Sequence, residues 1–262
     1  MTVAEALKVA EDELTSAGVD SPGVDAEWLV AHALGVPRSK LYLQRDREVP
    51  ASFDALLARR RDREPLAYVL GEWGFRRLML KTDARALVPR PETEVVVERA
   101  LELIAGADRP RVLDLGVGSG AIALSIADEH PGAQVTGVDT SPDALALATE
   151  NATRLGLTVE LRLGGTETAE EGWDLVVSNP PYIPQEVLPS LQPELTFEPP
   201  QALVEAALHE EIARRARTHW LVLEVGYGQA ARVERALQEF GYHDVAITRD
   251  LAGIERVVEG AR

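Results

Sequence analysis

A chain of 262 residues with 45% hydrophobic side chains and no cysteine can bury one large or two small cores unaided, and it excludes disulfides and zinc–thiolate sites. Its 43 acidic against 27 basic side chains give a formal charge of −16, which repels phosphate backbones at long range. No apolar run nears membrane-spanning length, and the start Met1-Thr2-Val3-Ala4-Glu5 has neither the basic nor the apolar region of a secretory signal. A cytoplasmic monomer is therefore expected, with no membrane and no direct nucleic-acid partner.

From Ala4 to Arg63 the apolar spacing is helical. Ala6, Val9, Ala10 and Leu14 mark a first helix closed by Gly18; a second starts near Ser21-Pro22, carries Ala26, Leu29, Val30 and Ala33 inward, and stops at Gly35. Pro37 opens a short segment through Leu41-Tyr42-Leu43, and Pro50-Ala51 another with Phe53, Leu56 and Leu57. Residues 1–68 thus form a small helical bundle. Its basic last turn, Arg59, Arg60, Arg61 and Arg63, reads as a solvated face complementing the helix dipole, the alternative being a docking patch for an acidic partner. Over residues 69–90 the period falls to two, with Phe75, Leu78 and Leu80 and later Ala86 and Val88, as in a hairpin that links two domains. Pro89-Arg90-Pro91-Glu92-Thr93-Glu94 then opens a helix with Pro91 at its first position and Glu92 and Glu94 at the positive dipole end.

Residues 91–262 contain the remaining pattern. Strands are expected at Val112–Leu115, Val135–Val138, Val159–Leu163, Asp174–Ser178, Trp220–Val225, Val245–Thr248 and Ile254–Val258. Helices are expected at Ala121–Asp128, Pro142–Leu155, Ala202–Arg217 and Gln229–Phe240. Such alternation predicts an α/β, Rossmann-like parallel sheet covered on both faces, with ligands beyond the carboxyl ends of its strands.

Two constellations lie at those ends. Gly116-Val117-Gly118-Ser119-Gly120 follows the first strand and lets a ligand approach the backbone and a helix N-terminus; its spacing is neither the dinucleotide fingerprint nor a Walker loop. Asp139 ends the second strand, where an acid reaches a ribose, although it could instead cap the helix that begins at Thr140-Ser141-Pro142. A nucleoside with an anionic tail suits the pair, and S-adenosylmethionine is such a molecule. The second constellation is Asn179-Pro180-Pro181-Tyr182, directly after Leu175-Val176-Val177-Ser178. Two prolines remove two donors, so the Asn179 and Pro180 carbonyls are open to other partners; the Asn179 side-chain oxygen is a further acceptor, and the Tyr182 ring is a platform for a planar group. Together they read as a clamp for a planar NH2 group, against the plain alternative of a Pro-Pro turn.

Gly71-Glu72-Trp73-Gly74-Phe75, Pro89 to Glu94, Val112 to Gly120, Asn179 to Tyr182 and Asp250-Leu251-Ala252-Gly253 closely resemble the runs of the bacterial protein-(glutamine-N5) methyltransferases that modify class 1 peptide chain release factors. The resemblance spans nearly the whole chain. It implies a seven-stranded methyltransferase domain with its last strand antiparallel, an N-terminal domain that recognises the substrate, and methylation of the glutamine amide in the release factors' Gly-Gly-Gln motif. No metal is expected. The clamp reading assigns catalysis to Asn179, Pro180 and Tyr182 and substrate binding to these with Pro181; cofactor binding is expected at Gly116, Val117, Gly118, Ser119, Gly120, Asp139 and Asn179. The Asn-Pro-Pro-Tyr motif is shared with adenine and guanine amino-methylating enzymes; Arg90 to Glu94 and the N-terminal domain favour a protein substrate.

The chain departs from the family's pattern twice. Gly164-Gly165 stands where members carry an acid and a bulky residue near the adenine, and a Gly-Gly-x-Asp-Gly loop expected after Leu203 is replaced by Val204-Glu205-Ala206 running into helix, which predicts a trimmed rim. The rival readings are an amino-methyltransferase acting on a flipped base of DNA or ribosomal RNA, and an inactive cofactor-binding module.

Overall fold

The computed structural model describes residues 1–204 and 207–262, with Pro189 described only in its backbone. The chain divides into two compact units, one of Met1–Glu72 with Gln192–Phe197, the other of Trp73–Leu191 with Glu198–Arg262.

The smaller unit is helical. Helix α1 (Val3–Ser16) starts from a capping box in which Thr2 and Glu5 satisfy each other's backbone donors, and α2 (Pro22–Leu34) has proline in its first turn and ends on left-handed Gly35. Helices α3 (Ser52–Arg61) and α4 (Leu66–Leu70) complete it. Val3, Ala6, Ala10 and Leu14 form the buried stripe of α1, while Val9 is 40% exposed. The basic turn of α3 is solvated only in part: Arg59 and Arg61 are exposed, whereas Arg60 and Arg63 turn inward. Arg60 is buried, 2.7 Å from Asp25 and 2.8 Å from Glu194, and Arg63 binds Glu194 at 2.7 Å. These guanidiniums are occupied because a buried carboxylate needs a partner at close range. Burial nevertheless holds the Asp25 carboxyl above its ordinary pKa, against the pull of Arg60.

The larger unit opens with the hairpin of β1 (Glu72–Phe75) and β2 (Leu78–Lys81). The hairpin is more than a linker, since Phe75, Leu78 and Leu80 share a core cluster with Val96, Val97 and Ala100 of α5 (Thr93–Ile104). Helix α5 begins at Thr93 rather than Pro91, because the Thr93 amide closes a turn onto the Arg90 carbonyl. Then come β3 (Arg111–Leu115), α6 (Ala121–Glu129), β4 (Gln134–Asp139), α7 (Pro142–Leu155), β5 (Glu160–Leu163) and β6 (Trp173–Ser178). After these follow α8 (Leu208–Arg215), β7 (Thr218–Glu224), α9 (Ala230–Glu239), β8 (His243–Arg249) and β9 (Glu255–Ala261). The strands form one seven-stranded sheet in the order β5-β4-β3-β6-β7-β9-β8. Neighbours are parallel from β5 to β7, and the last strand, β9, runs antiparallel to both β7 and β8.

Side chains alternate across this sheet. Val112, Leu175, Val177, Val222 and Val257 join α5, α6 and α7 on one face; Leu113, Leu115, Val176, Leu221, Leu223 and Val258 join α8 and α9 on the other. Each such side chain contributes about 1.5–3 kcal/mol when fully buried. Helix α8 starts six residues after the expected Ala202. The Ile183 amide bonds the Leu203 carbonyl at 2.9 Å and Val204 bridges Ile183, which draws this stretch out of helical geometry. The expected helical run at Glu205 and Ala206 lies outside the described residues.

Candidate active site

The register sets Leu115 of β3 level with Val138 of β4 and Ser178 of β6, and Ser178 level with Leu223 of β7. Four strand ends therefore finish side by side. The Ser178 hydroxyl donates to the Leu115 carbonyl at 2.7 Å and pins two of them together.

At the β3 end the chain turns through Gly116, Gly118 and Gly120 with φ of 77°, 54° and 90°, a region open to glycine at no steric cost. The turn is closed largely from within. Gly116 and Val117 both donate to the Val138 carbonyl, at 2.8 and 3.0 Å, Gly120 donates to the Val117 carbonyl at 2.8 Å, and Gly118 donates to Asp139 Oδ2 at 3.0 Å. Of the five amides in Gly116 to Gly120, that of Ser119 is the one with no protein acceptor among the described residues. Asp139 Oδ1 accepts from the Ser141 amide at 2.9 Å, and it is Ser141 whose side chain caps α7, accepting from Ala144. A carboxylate has about four lone-pair sites, so Asp139 keeps capacity for a ligand's hydroxyl donors.

Beneath the turn lies Asp114, 1% exposed. Its Oδ2 accepts from the Ala123 amide at 3.0 Å, and its Oδ1 has no hydrogen-bond partner among the described residues. Burial, helped by the charge of Asp139, pushes this carboxyl up to about 7.

The β6 and β7 ends carry a second buried acid. Glu224, 1% exposed, accepts from the Thr93 hydroxyl at 2.6 Å through Oε2 and from the Tyr182 hydroxyl at 3.3 Å through Oε1. Thr93 Oγ1 in turn accepts from Asn179 Nδ2 at 3.2 Å. Burial pushes Glu224 up to about 7 against the two hydroxyl bonds and Arg256, and burial with the Glu224 charge raises the Tyr182 phenol. The Tyr182 carbonyl accepts from Gln229 Nε2 at 2.9 Å, and a β-carbon at Gly226 would stand 2.9 Å from the Tyr182 ring. Only glycine lets the ring settle there.

A cavity of about 370 Å³ opens above these ends. Gly116 to Ser119, Asp139, and Asn179-Pro180-Pro181 line it, as do Thr93 and Arg90. Gly120 and Tyr182 do not: Gly120 packs toward Leu124, and Tyr182 turns its hydroxyl to Glu224. Gly164 and Gly165 form part of the wall with Thr166 and Glu167, and the Glu167 carboxylate folds back onto the Gly165 amide at 2.7 Å. The two lining arginines are held by acids, Arg85 by Asp83 and Glu150 and Arg90 by the buried Glu198, whose other oxygen accepts from the Val88 amide at 3.0 Å. Thr93, Glu198 and Glu224 were not singled out from the sequence. The signal that was present is an acid closing the apolar run Leu221-Val222-Leu223-Glu224, since a charge in a buried strand needs partners.

Residues 93–205 match the family model of the methyltransferase small domain, and residues 5–71 match that of the PrmC N-terminal domain. The same fold occurs in the catalytic domain of human METTL16 in complex with an RNA hairpin, at TM-score 0.56 and 15% identity over 70% of this chain and 74% of that one. It recurs in the 16S rRNA N2 methyltransferase of T. thermophilus with AdoMet and guanosine, at TM-score 0.53 and 18% identity over 73% and 49%. With a glycine turn and a strand-end acid on this sheet, the protein is an S-adenosylmethionine-dependent methyltransferase. Among curated proteins, the release factor glutamine methyltransferase of Vibrio cholerae is 43% identical, covering 99% of this chain and 96% of its own. That of Caulobacter vibrioides is 37% identical, covering 100% and 97%. The chain belongs to the release factor glutamine methyltransferase family.

Proposed function

We propose that the cavity presents the side-chain amide of the glutamine in the Gly-Gly-Gln motif of class 1 release factors for methylation on N5. The observation that carries this reading is the state of Asn179. Its NH2 is committed to Thr93, which leaves Oδ1 for the cavity, and no donor among the described residues takes the carbonyls of Asn179 or Pro180. Two acceptors on one rigid Pro-Pro turn match the two N–H groups of a primary amide.

An amide nitrogen is a poor nucleophile because its lone pair is delocalised into the carbonyl, so the site works by geometry. Bound S-adenosylmethionine supplies a sulfonium methyl electrophile. The residues present fit it: Asp139 retains acceptor capacity for the ribose hydroxyls, the Ser119 amide is available to the carboxylate, and Gly116 to Ser119 let both come close. Asn179 Oδ1 and the Pro180 carbonyl hold the glutamine NH2 in one orientation and stabilise the positive charge that grows on nitrogen. Alignment of this kind supplies roughly 7–11 kcal/mol in favourable cases. Tyr182 acts from behind by bracing the turn against Gly226 and Glu224, and Pro181 completes the wall.

Residues 1–68 serve as the recognition domain for the release factor, and the enzyme works in the cytoplasm as a monomer without direct contact to nucleic acid. No helix among the described residues is long and apolar enough to cross a membrane. Offering tritiated cofactor with release factor, DNA and ribosomal RNA side by side tests the reading. Label is expected on the release factor; label on either nucleic acid in its place would overturn it.

A further inference from the structure

We propose that the buried Glu224 carboxylate is a positioning residue that fixes, through the Thr93 hydroxyl, which way the Asn179 amide faces. The inference rests on the clamp reading above and assigns what orients the clamp. It follows from the polarity of three groups in series.

Above about pH 7, where Glu224 is ionised, its carboxylate only accepts, and a hydroxyl has one proton. The Thr93 proton is directed at Glu224 Oε2 over 2.6 Å, within the range of a short charge-assisted O–H···O⁻ bond. What Thr93 then shows to Asn179 is lone pairs. Asn179 answers with its NH2, 3.2 Å away, and its Oδ1 is left to face the cavity. The reverse arrangement would turn NH2 toward the cavity, opposite the donors of an incoming amide.

The surroundings hold Glu224 to this task. Its backbone carbonyl bonds His209 Nε2 at 2.8 Å, its Oε1 accepts from Tyr182, and the paired register of β7 with both β6 and β9 fixes its strand. Thr93 is placed by the first turn of α5, so three separate elements meet in one line of hydrogen bonds. A carboxyl in this place has no contact with the cavity itself, which is why its role is orientation.

The test is steady-state methyl transfer to a release factor, with cofactor affinity measured by calorimetry, on the full chain. Thr93→Val removes the hydroxyl at constant shape, and Glu224→Leu removes its acceptor. Each is expected to lower kcat roughly 10²-fold, the scale of a misplaced reacting group, while cofactor affinity and KM stay as in the wild type. Thr93→Ser restores the hydroxyl and should recover kcat. The double variant should lose no more than the worse single, because both cut the same line. Should Glu224→Leu fail to fold, the contrast between Thr93→Val and Thr93→Ser carries the test alone. Full kcat in Thr93→Val or Glu224→Leu alongside an inactive Asn179→Ala would overturn the relay and leave the clamp standing; full kcat in Asn179→Ala as well would overturn the clamp. A loss of cofactor affinity equal to the loss of kcat would also overturn the relay, since it would mark a general role in folding the site.

Discussion

Asp114 and Glu224 both lie near the carboxyl ends of strands in one sheet, β3 and β7, and are treated alike by burial, yet their hydrogen-bond partners differ. Each sits near the carboxyl end of a strand, 1% exposed, with its carboxyl pushed up to about 7. Asp114 accepts from a backbone amide, Ala123, and so holds the first turn of α6 under the glycine turn. Glu224 accepts from two side-chain hydroxyls, one of which continues to Asn179. The difference is in the partner. On the proposed reading, a carboxylate that grips backbone supports the floor of the cofactor cradle, whereas one that grips hydroxyls directs the side chain proposed to meet substrate. The proposed cofactor half is then closed largely from within, and the proposed substrate half ends in the Asn179 amide.

The largest effect that sharpens this contrast is expected from Asn179→Ala. It should lower methyl transfer by about 10²–10³-fold in kcat, the scale of removing one oriented hydrogen-bonding group from a transition state, and leave cofactor binding nearly intact. Comparable losses of both in single-turnover and calorimetric assays would merge the two halves into one. Asp139→Ala comes next and in the opposite sense. It removes a charged acceptor and should weaken cofactor affinity about tenfold to a hundredfold, from roughly 1.5–3 kcal/mol per charge-assisted bond, by calorimetry. Unaffected affinity would reduce Asp139 to a brace for Gly118 and Ser141. The smallest effect concerns Asp114 and is a matter of stability against pH. Its carboxyl keeps a proton up to about 7 when folded but only to 3.8 otherwise, so its contribution to stability falls as the pH rises between those values. Asp114→Asn does not titrate. Its thermal midpoint relative to wild type should therefore improve from about pH 5 to about pH 7, and a constant difference would show that Asp114 is charged in the fold throughout.

Much of the architecture was legible in the sequence because it is local. The alternation of Val112 to Leu115 or Leu175 to Ser178, the three glycines and the Pro-Pro turn are patterns within a few residues, and strands alternating with helices imply a parallel sheet. Helix α8 was misplaced because its start is decided by pairing of Ile183 with Leu203 and Val204, not by propensity. Arg60 was read as solvated because Asp25 and Glu194 lie far from it in sequence, and Thr93 and Glu224 are 131 positions apart. Polar side chains that meet across such separations have no period to betray them. Gly164-Gly165 is intermediate: it stood out as a departure from the resembled family's pattern, and the structure shows Glu167 folded against it.

The most direct test of the account is to find where the methyl group goes. Purified release factor, treated with the enzyme and S-adenosylmethionine and then digested, should show by tandem mass spectrometry a single added methyl on the glutamine side chain of the Gly-Gly-Gln peptide, and Asn179→Ala should leave most of that peptide unmodified in the time the wild type takes to complete the reaction. A methyl on another residue, or an unmodified peptide with the wild-type enzyme, would contradict it.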